Sequence, residues 1–317
     1  VEDFKAKYGA NGLGPIEVMG ADHQNDPEVA ANKARDLYEK NGADVILDVP
    51  TSAAALAVAK VAVADKRLYI NVSGATPELT GAQCNKYTFH YAFDSYALSV
   101  GTGAWGAQHL GKKWFLLYPG YAYGADMNKL FVAAVQAGGG TVLASEPSPF
   151  PNLSGDFSAQ LSKAAGMNPD VVAAMQTGSD LQKLVKQFNG SPLKAQGAKL
   201  ALGLLFESDI NQIGPDALEG AVYTTPWLWT QDAEARVFAE RWMARTGTRP
   251  TFAQAGSYSA AWQYLDAVRR AGTDEPDAVV KALEGYKFSD FFIRNGLIRA
   301  EDHFVAHDLL VAQIKAK

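Results

Sequence analysis

Short apolar runs alternate with helical patterns along most of the chain. Eight runs read as strands: Ile16–Ala21, Asp44–Val49, Arg67–Val72, Lys113–Tyr118, Thr141–Glu146, Asp170–Met175, Leu200–Leu205 and Ala221–Thr225. Helical patterns fall at about 27–41, 53–65, 96–110, 124–137, 156–166 and 179–189, then at 232–246, 255–271 and 275–284. Strands in alternation with helices of this length predict an α/β fold, with parallel sheets covered by helices on both faces. Asp26-Pro27-Glu28 marks a helix start, with Asp as N-cap and Pro at the first helical position. Ser52 reads as the cap before Ala53, worth about 1 kcal/mol.

The alternation breaks near residue 87, where Tyr87–Phe93 forms an extended aromatic run. A new series of strand–helix units starts at Lys113. Pro226-Trp227-Leu228-Trp229-Thr230 precedes two long helices, and after about residue 286 the pattern turns to short stretches, Phe291–Arg299 and Phe304–Ile314. Two α/β lobes linked by several crossings account for this order. At the other end, residues 1–12 look like the last turns of an amphipathic helix closed by Gly9 and Gly12. The expectation is a chain that enters its first strand–helix unit part-way, with a strand and an export signal upstream.

The densest information lies in residues 44–80. Two predicted strands end in turns of small and hydroxyl residues, Pro50-Thr51-Ser52 and Ser73-Gly74-Ala75-Thr76. Adjacent parallel strands place such turns side by side at the carboxyl edge of the sheet, where open α/β sheets bind ligands. The turns offer hydroxyls and N–H groups, with no nucleophile, base or metal ligand. That chemistry suits holding a small molecule.

Bulk properties narrow the reading. The chain has 317 residues, enough for two lobes, with 48% hydrophobic and 20% charged residues. A net charge of −5 argues against nucleic acid as a partner. No run of 18 apolar residues is present, so no transmembrane helix is expected. The one cysteine, Cys84, leaves the redox compartment open.

Two motifs imitate other chemistry. Gly101-Thr102-Gly103-Ala104-Trp105-Gly106 spells a dinucleotide fingerprint, but it sits inside a helical stretch and the next strand ends at Tyr118-Pro119 without an acidic residue. Its glycines read as close-packing positions. Asp22-His23-Gln24-Asn25-Asp26 lacks the Gly and Glu of a calcium loop and reads as a turn with a helix cap. No cofactor and no metal site are expected.

The residues ADHQNDPEVAANKARDLYEKNGADVILDVPTSAAALAVA, INVSGATPELTG, YAYG at 121–124 and PTFAQAGSYSAAWQYLDAV at 250–268 carry a resemblance running nearly end to end. The chain resembles the type I periplasmic solute-binding proteins of ABC importers, in the branched-chain amino acid group. It departs from them at the N-terminal strand and loop. The wording LTGAQCNKYTFHYAF also resembles members associated with aromatic compounds.

The resemblance implies two doubly wound parallel-sheet lobes joined by a three-crossing hinge, gripping a ligand between them. Lobe 1 would be residues 1–93 plus 227–304, and lobe 2 residues 94–226 plus 305–317. The implied role is an extracytoplasmic, periplasmic protein, a monomer without catalysis. It would deliver a small carboxylate-bearing ligand to the importer's membrane subunits, with no cofactor. An aromatic acid is the leading ligand class; a branched-chain amino acid or amide, or a ligand-sensing role, is the alternative. An enzyme on the same fold lacks a fingerprint and a nucleophile–base pair.

Candidate ligand contacts follow from both readings. Thr51 and Ser52, with Ser73, Gly74, Ala75 and Thr76, would cradle the carboxylate at two helix N-termini; for Thr51 and Ser52 the alternative is plain capping. Tyr121 and Tyr123 would form an aromatic wall with phenolic donors, the alternative being surface turn residues. Glu207 or Asp209 would meet the ammonium of an amino acid, the alternative again being helix capping by Ser208 or Asp209. Thr177, Gly178 and Ser179 end another strand and share that ambiguity. Trp227 and Trp229 are either core or a stacking surface. Gln254 reads as a contact near Phe252, and Tyr258 as core.

Overall fold

A computed structural model describes residues 1–9 and 13–316. The chain divides into two compact units: residues 1–94 with 232–238 and 253–308, and residues 95–231 with 239–252 and 309–317. Gly12 lies outside the described residues; Gly9 ends helix α1 (Glu2–Tyr8) with φ 66°.

In the first unit α2 (Pro27–Arg35) continues through a π-helical turn at Asp36–Lys40. Strand β1 (Val45–Leu47), helix α3 (Ser52–Asp65), strand β2 (Leu68–Asn71) and strand β3 (Thr88–His90) follow. The three strands are parallel in the order β1-β2-β3. Helix α3 packs on α2 through small residues, with Ala54, Ala55, Ala59 and Ala62 all buried. Tyr38 reaches from the end of α2 and donates its hydroxyl to the Leu68 carbonyl at 2.8 Å. Asp26 caps α2 as expected, accepting from the N–H groups of Glu28 and Val29.

Two expectations are corrected in this unit. Residues 16–21 form no strand; they run exposed past β1, across a cavity of about 700 Å³ lined by Ile46, Leu47, Val58, Tyr264 and Leu265. Their apolar pattern suits a pleated surface, but a strand also needs a neighbour within hydrogen-bonding distance, and among the described residues β1 pairs only with β2. The cap of α3 is Thr51 rather than Ser52, which is the first helical residue.

In the second unit α4 (Ser95–Ser99) runs through a π turn (Val100–Ala104) into α5 (Trp105–His109). Then come β4 (Lys113–Pro119), α6 (Ala122–Ala137), β5 (Thr141–Ser148), α7 (Ser158–Met167), β6 (Val171–Ala174) and α8 (Gly178–Asn189). The short α9 (Pro192–Ala195), β7 (Lys199–Leu202), α10 (Glu207–Ile213) and β8 (Val222–Thr225) complete the series. Beyond them lie α11 (Ala233–Thr246), α12 (Phe252–Ala271) and α13 (Pro276–Leu283). Strands β9 (Lys287–Phe288), β10 (Gly296–Ile298) and β11 (Val305–Ala306) form a small antiparallel sheet in the first unit, and β12 (Leu310–Gln313) returns to the second.

The second sheet has the order β12-β8-β7-β6-β4-β5, parallel except for β12 at its edge. Its strands read as continuous apolar runs because both faces are covered. Phe115, Leu117, Val172 and Leu202 pack with Leu184 and Phe188 of α8 in one core. Strand β7 stops at Leu202, three residues short of the predicted end, leaving Gly203–Leu205 to lead into α10.

The glycine motif at 101–106 lies within the α4–α5 stretch and serves packing. A Cβ at Gly101 would stand 2.4 Å from Thr224 Oγ1, and one at Gly106 would stand 2.7 Å from the Trp114 ring. Gly101→Ala is therefore expected to lower stability by about 1–3 kcal/mol through overpacking. Gly166 in α7 has no neighbour within 4 Å of the added carbon, so Gly166→Ala is expected to raise stability by roughly 0.5–1 kcal/mol. Urea unfolding of the two variants checks both signs.

Candidate ligand site

Strands β1 and β2 are in register from Val45 opposite Leu68 to Leu47 opposite Ile70. The segments after them, 48–52 and 72–76, therefore leave the same carboxyl edge of the sheet. Asp48 joins the two. Its backbone is left-handed at φ 58°. Its carboxylate accepts from the N–H groups of Val72 at 3.3 Å and Ser73 at 2.7 Å, and from the Ser73 hydroxyl at 2.9 Å. Burial pushes the Asp48 carboxyl above its ordinary pKa, and the Ser73 and Val72 bonds oppose that rise. Ser73, expected among the cradle donors, thus gives both of its donors to Asp48.

A second network fixes the loop from below. Asn71 donates to the Gly74 carbonyl at 2.7 Å and accepts from the Tyr69 hydroxyl at 2.9 Å and the Gly74 N–H at 3.3 Å. His90 Nε2 lies 2.8 Å from the same carbonyl. A carbonyl only accepts, so this nitrogen carries the proton. Burial lowers the His90 pKa to about 4 and keeps the ring neutral at physiological pH. Gly74 is required by close approach: a Cβ there would stand 2.7 Å from Asn71 Oδ1 and 2.8 Å from the Val49 carbonyl oxygen. The approach that its missing side chain permits is that of one loop to the other.

Thr51 occupies the cap position of α3, yet its side chain makes no bond to the helix. Its Oγ1 is buried and has no hydrogen-bond partner. The first N–H groups of a helix have no partner within it, so this end of a 14-residue helix presents donors and a positive dipole end beside Thr51 and Ser52. The second loop differs. Thr76 Oγ1 accepts from the Glu78 N–H at 3.3 Å and opens a single 3₁₀ turn, Pro77–Leu79. Three residues add little macrodipole, so α3 is the one true helix N-terminus of the pair. Ala75 and Thr76 are both buried.

In the second unit Tyr121 precedes α6 and Tyr123 stands in its first turn. Tyr121 stacks on Phe150 with ring centroids 4.0 Å apart, and Tyr123 is tilted against it at 5.7 Å. Burial pushes the Tyr121 phenol up to about 12 and raises that of Tyr123 further. The Tyr123 hydroxyl is buried without a partner. Nothing in the sequence around Phe150 had marked it as part of this aromatic group.

Glu207 and Asp209 separate cleanly. Asp209 accepts from the Phe206 N–H at 3.2 Å and closes the start of α10. Glu207 is 6% exposed; its Oε2 accepts from the Phe252 N–H at 3.0 Å, while Oε1 is buried with no partner. Removal from water raises its pKa to about 8, with Asp209 adding to the rise. Thr177 is the cap residue of α8 and Gly178 its first residue, with φ 56°.

Trp227 is fully buried, with its main chain held by Thr225. Trp229 is half-buried, and the Arg249 guanidinium lies over its ring at 3.8 Å. Gln254 is exposed in the first turn of α12. Tyr258 is half-buried and donates to Asp3 at 2.6 Å.

The family profile described as periplasmic binding protein matches residues 1–317. The chain belongs to that family. A solved periplasmic binding protein from Burkholderia mallei is 34% identical, with a TM-score of 0.91 over 99% of this chain and 83% of its own. The Leu/Ile/Val-binding protein homolog 4 of Brucella melitensis is 26% identical over 95% of this chain and 74% of its own length. A solute-binding protein of an ABC transporter from Rhodopseudomonas palustris, solved with 3,4-dihydroxybenzoic acid, has a TM-score of 0.88 at 23% identity and covers 98% of this chain and 86% of its own. The fold is that of the type I periplasmic binding proteins, and the family's members are solute-binding components of transporters.

Glu207 gives this periplasmic binding protein a definite pH dependence. The folded state keeps the proton up to about pH 8, whereas an unfolded glutamate releases it near 4.5. Unfolding in this window releases a proton from Glu207, so its contribution to stability falls as pH rises from about 4.5 to about 8, by at most about 1.4 kcal/mol per pH unit; below about pH 6.5 the buried neutral His90 acts in the opposite sense, and the fall shows between about 6.5 and 8. Glu207→Gln is expected to remove this slope, and thermal unfolding of the ligand-free protein across the window checks it. An unchanged slope would place its origin elsewhere.

Proposed function

We propose that this protein is the extracytoplasmic binding component of an ABC importer and captures a small carboxylate-bearing molecule, an aromatic acid, without transforming it. The observation that carries this reading is Thr51: a hydroxyl buried at the N-terminus of α3, bonded neither to the helix nor to any side chain. A carboxylate satisfies both the hydroxyl and the helix N–H groups, and it is favoured by the dipole. In this reading Thr51, Ser52, Ala75 and Thr76 hold the carboxylate. Ser73 and Gly74 act behind them, the first through Asp48 and the second by letting the loops meet.

The aromatic preference is supported by Tyr121, Tyr123 and Phe150, three rings grouped after the ends of β4 and β5. It is also in keeping with the dihydroxybenzoic acid of the Rhodopseudomonas relative. Trp227 and Gln254 are carried over as expected contacts; the first is fully buried and the second exposed in the first turn of α12.

A branched-chain amino acid is the second reading. Glu207 favours it, because an ammonium at its unpartnered Oε1 would offset the burial that keeps the carboxyl protonated and so favour its ionised form, whereas Asp209 is occupied at the start of α10. The name of the Brucella relative points the same way.

A thermal-shift panel of benzoate, 4-hydroxybenzoate and leucine separates the two. An aromatic acid at about 100 times its dissociation constant should stabilise the protein by about 2.7 kcal/mol. Stabilisation by leucine alone would overturn the aromatic reading. Thr51→Val keeps the shape of the side chain and removes the hydroxyl, and it is expected to weaken carboxylate binding about tenfold while leaving the ligand-free melting temperature nearly unchanged.

A further inference from the structure

Strands β4, β6 and β7 are neighbours in the second sheet. Just past their carboxyl ends stand Tyr123, Gln176 and Glu207, which are 6%, 1% and 6% exposed. Each carries a buried polar atom without a hydrogen-bond partner: the Tyr123 hydroxyl, Gln176 Oε1 and Glu207 Oε1. Buried polar groups in folded proteins are nearly always paired, so three orphans at the ligand-binding edge of one sheet call for an explanation.

Gln176 is the most specific of the three, because its free end is fixed by its neighbours. Its Nε2 lies 3.2 Å from Ser148 Oγ, and Ser148 Oγ lies 3.5 Å from the Tyr118 carbonyl. The Ser148 hydroxyl gives its proton to that carbonyl and accepts from the glutamine NH₂. The amide oxygen is therefore the end left over, and an amide oxygen can only accept. Whatever meets it must bring a donor. A bare aromatic ring or an aliphatic chain has none and would leave the buried oxygen desolvated and unpaired.

We propose that Gln176 is a ligand-contact residue whose amide oxygen takes a hydrogen bond from a ring hydroxyl, so that the site selects hydroxylated aromatic acids over unsubstituted ones. This rests on the carboxylate-binding function proposed above. The Tyr123 hydroxyl, in the first turn of α6, and the Glu207 carboxyl, at the start of α10, each donate or accept according to the ligand's substituents. Selection follows the rule that a site with a buried acceptor discriminates strongly against the analogue lacking the donor.

Isothermal titration of the intact protein with 4-hydroxybenzoate, benzoate and leucine tests this, alongside Gln176→Met. 4-Hydroxybenzoate is expected to bind at least about tenfold more tightly than benzoate. In Gln176→Met the difference should vanish through loss of 4-hydroxybenzoate affinity alone, with benzoate affinity retained. Equal binding of the two acids by the unaltered protein overturns the proposal. So does a variant that weakens both acids alike, or one that leaves the difference intact, since the orphan oxygen then has only a structural role. If Gln176→Met fails to fold, Gln176→Asn withdraws the oxygen by one methylene and should give the same selective loss. Binding of leucine with no response to either aromatic acid is the separate result that removes the aromatic reading itself, and this proposal with it.

Discussion

Asp48 sits at the end of β1 with its carboxylate drawn out of water and accepting from Val72 and Ser73. Those bonds fix the loop after β1 to the loop after β2, and they do so with a residue whose own backbone is held left-handed. The cost of burying the charge is visible in its raised pKa. What the arrangement secures is the relative position of Thr51 and Thr76, which sit in the two loops it ties. Asn71 and the neutral His90 support the same loop through the Gly74 carbonyl. The first unit thus spends several polar side chains on positioning, and the buried Thr51 hydroxyl is one of the groups there without a partner.

The second unit carries unpartnered polar groups of its own past the carboxyl ends of its strands. A tyrosine, a glutamine and a glutamate follow the carboxyl ends of the neighbouring strands β4, β6 and β7, each buried and each with one polar atom unmatched. Stability alone does not favour such atoms. Under the proposed function, ligand binding would account for four of the unpartnered buried groups, those of Thr51, Tyr123, Gln176 and Glu207.

The sequence made the sheet strands legible because burial on both faces writes them as apolar runs, and the helices legible through their period. Residues 16–21 failed for the opposite reason: a pattern states which faces are apolar and says nothing of whether a partner strand lies alongside. The cap of α3 slipped by one residue because Thr51 and Ser52 are equally good cap types, and only backbone geometry separates them. At the site, hydroxyl-rich turns after strands were visible, and so were Tyr121, Tyr123 and Glu207. Asp48, Asn71, His90, Phe150 and Gln176 were not, since their roles depend on contacts across strands or loops rather than on any local spacing. The choice between Glu207 and Asp209 needed one fact that spacing lacks, namely which carboxylate already has its hydrogen bonds.

The central claim is that a carboxylate is held at the N-terminus of α3. A crystal structure of the protein with 4-hydroxybenzoate tests it most directly. The account predicts the carboxylate at the Thr51 hydroxyl and the first N–H groups of α3, beside Ala75 and Thr76. A bound acid whose carboxylate lies away from Thr51, with that hydroxyl still unpartnered, would contradict it.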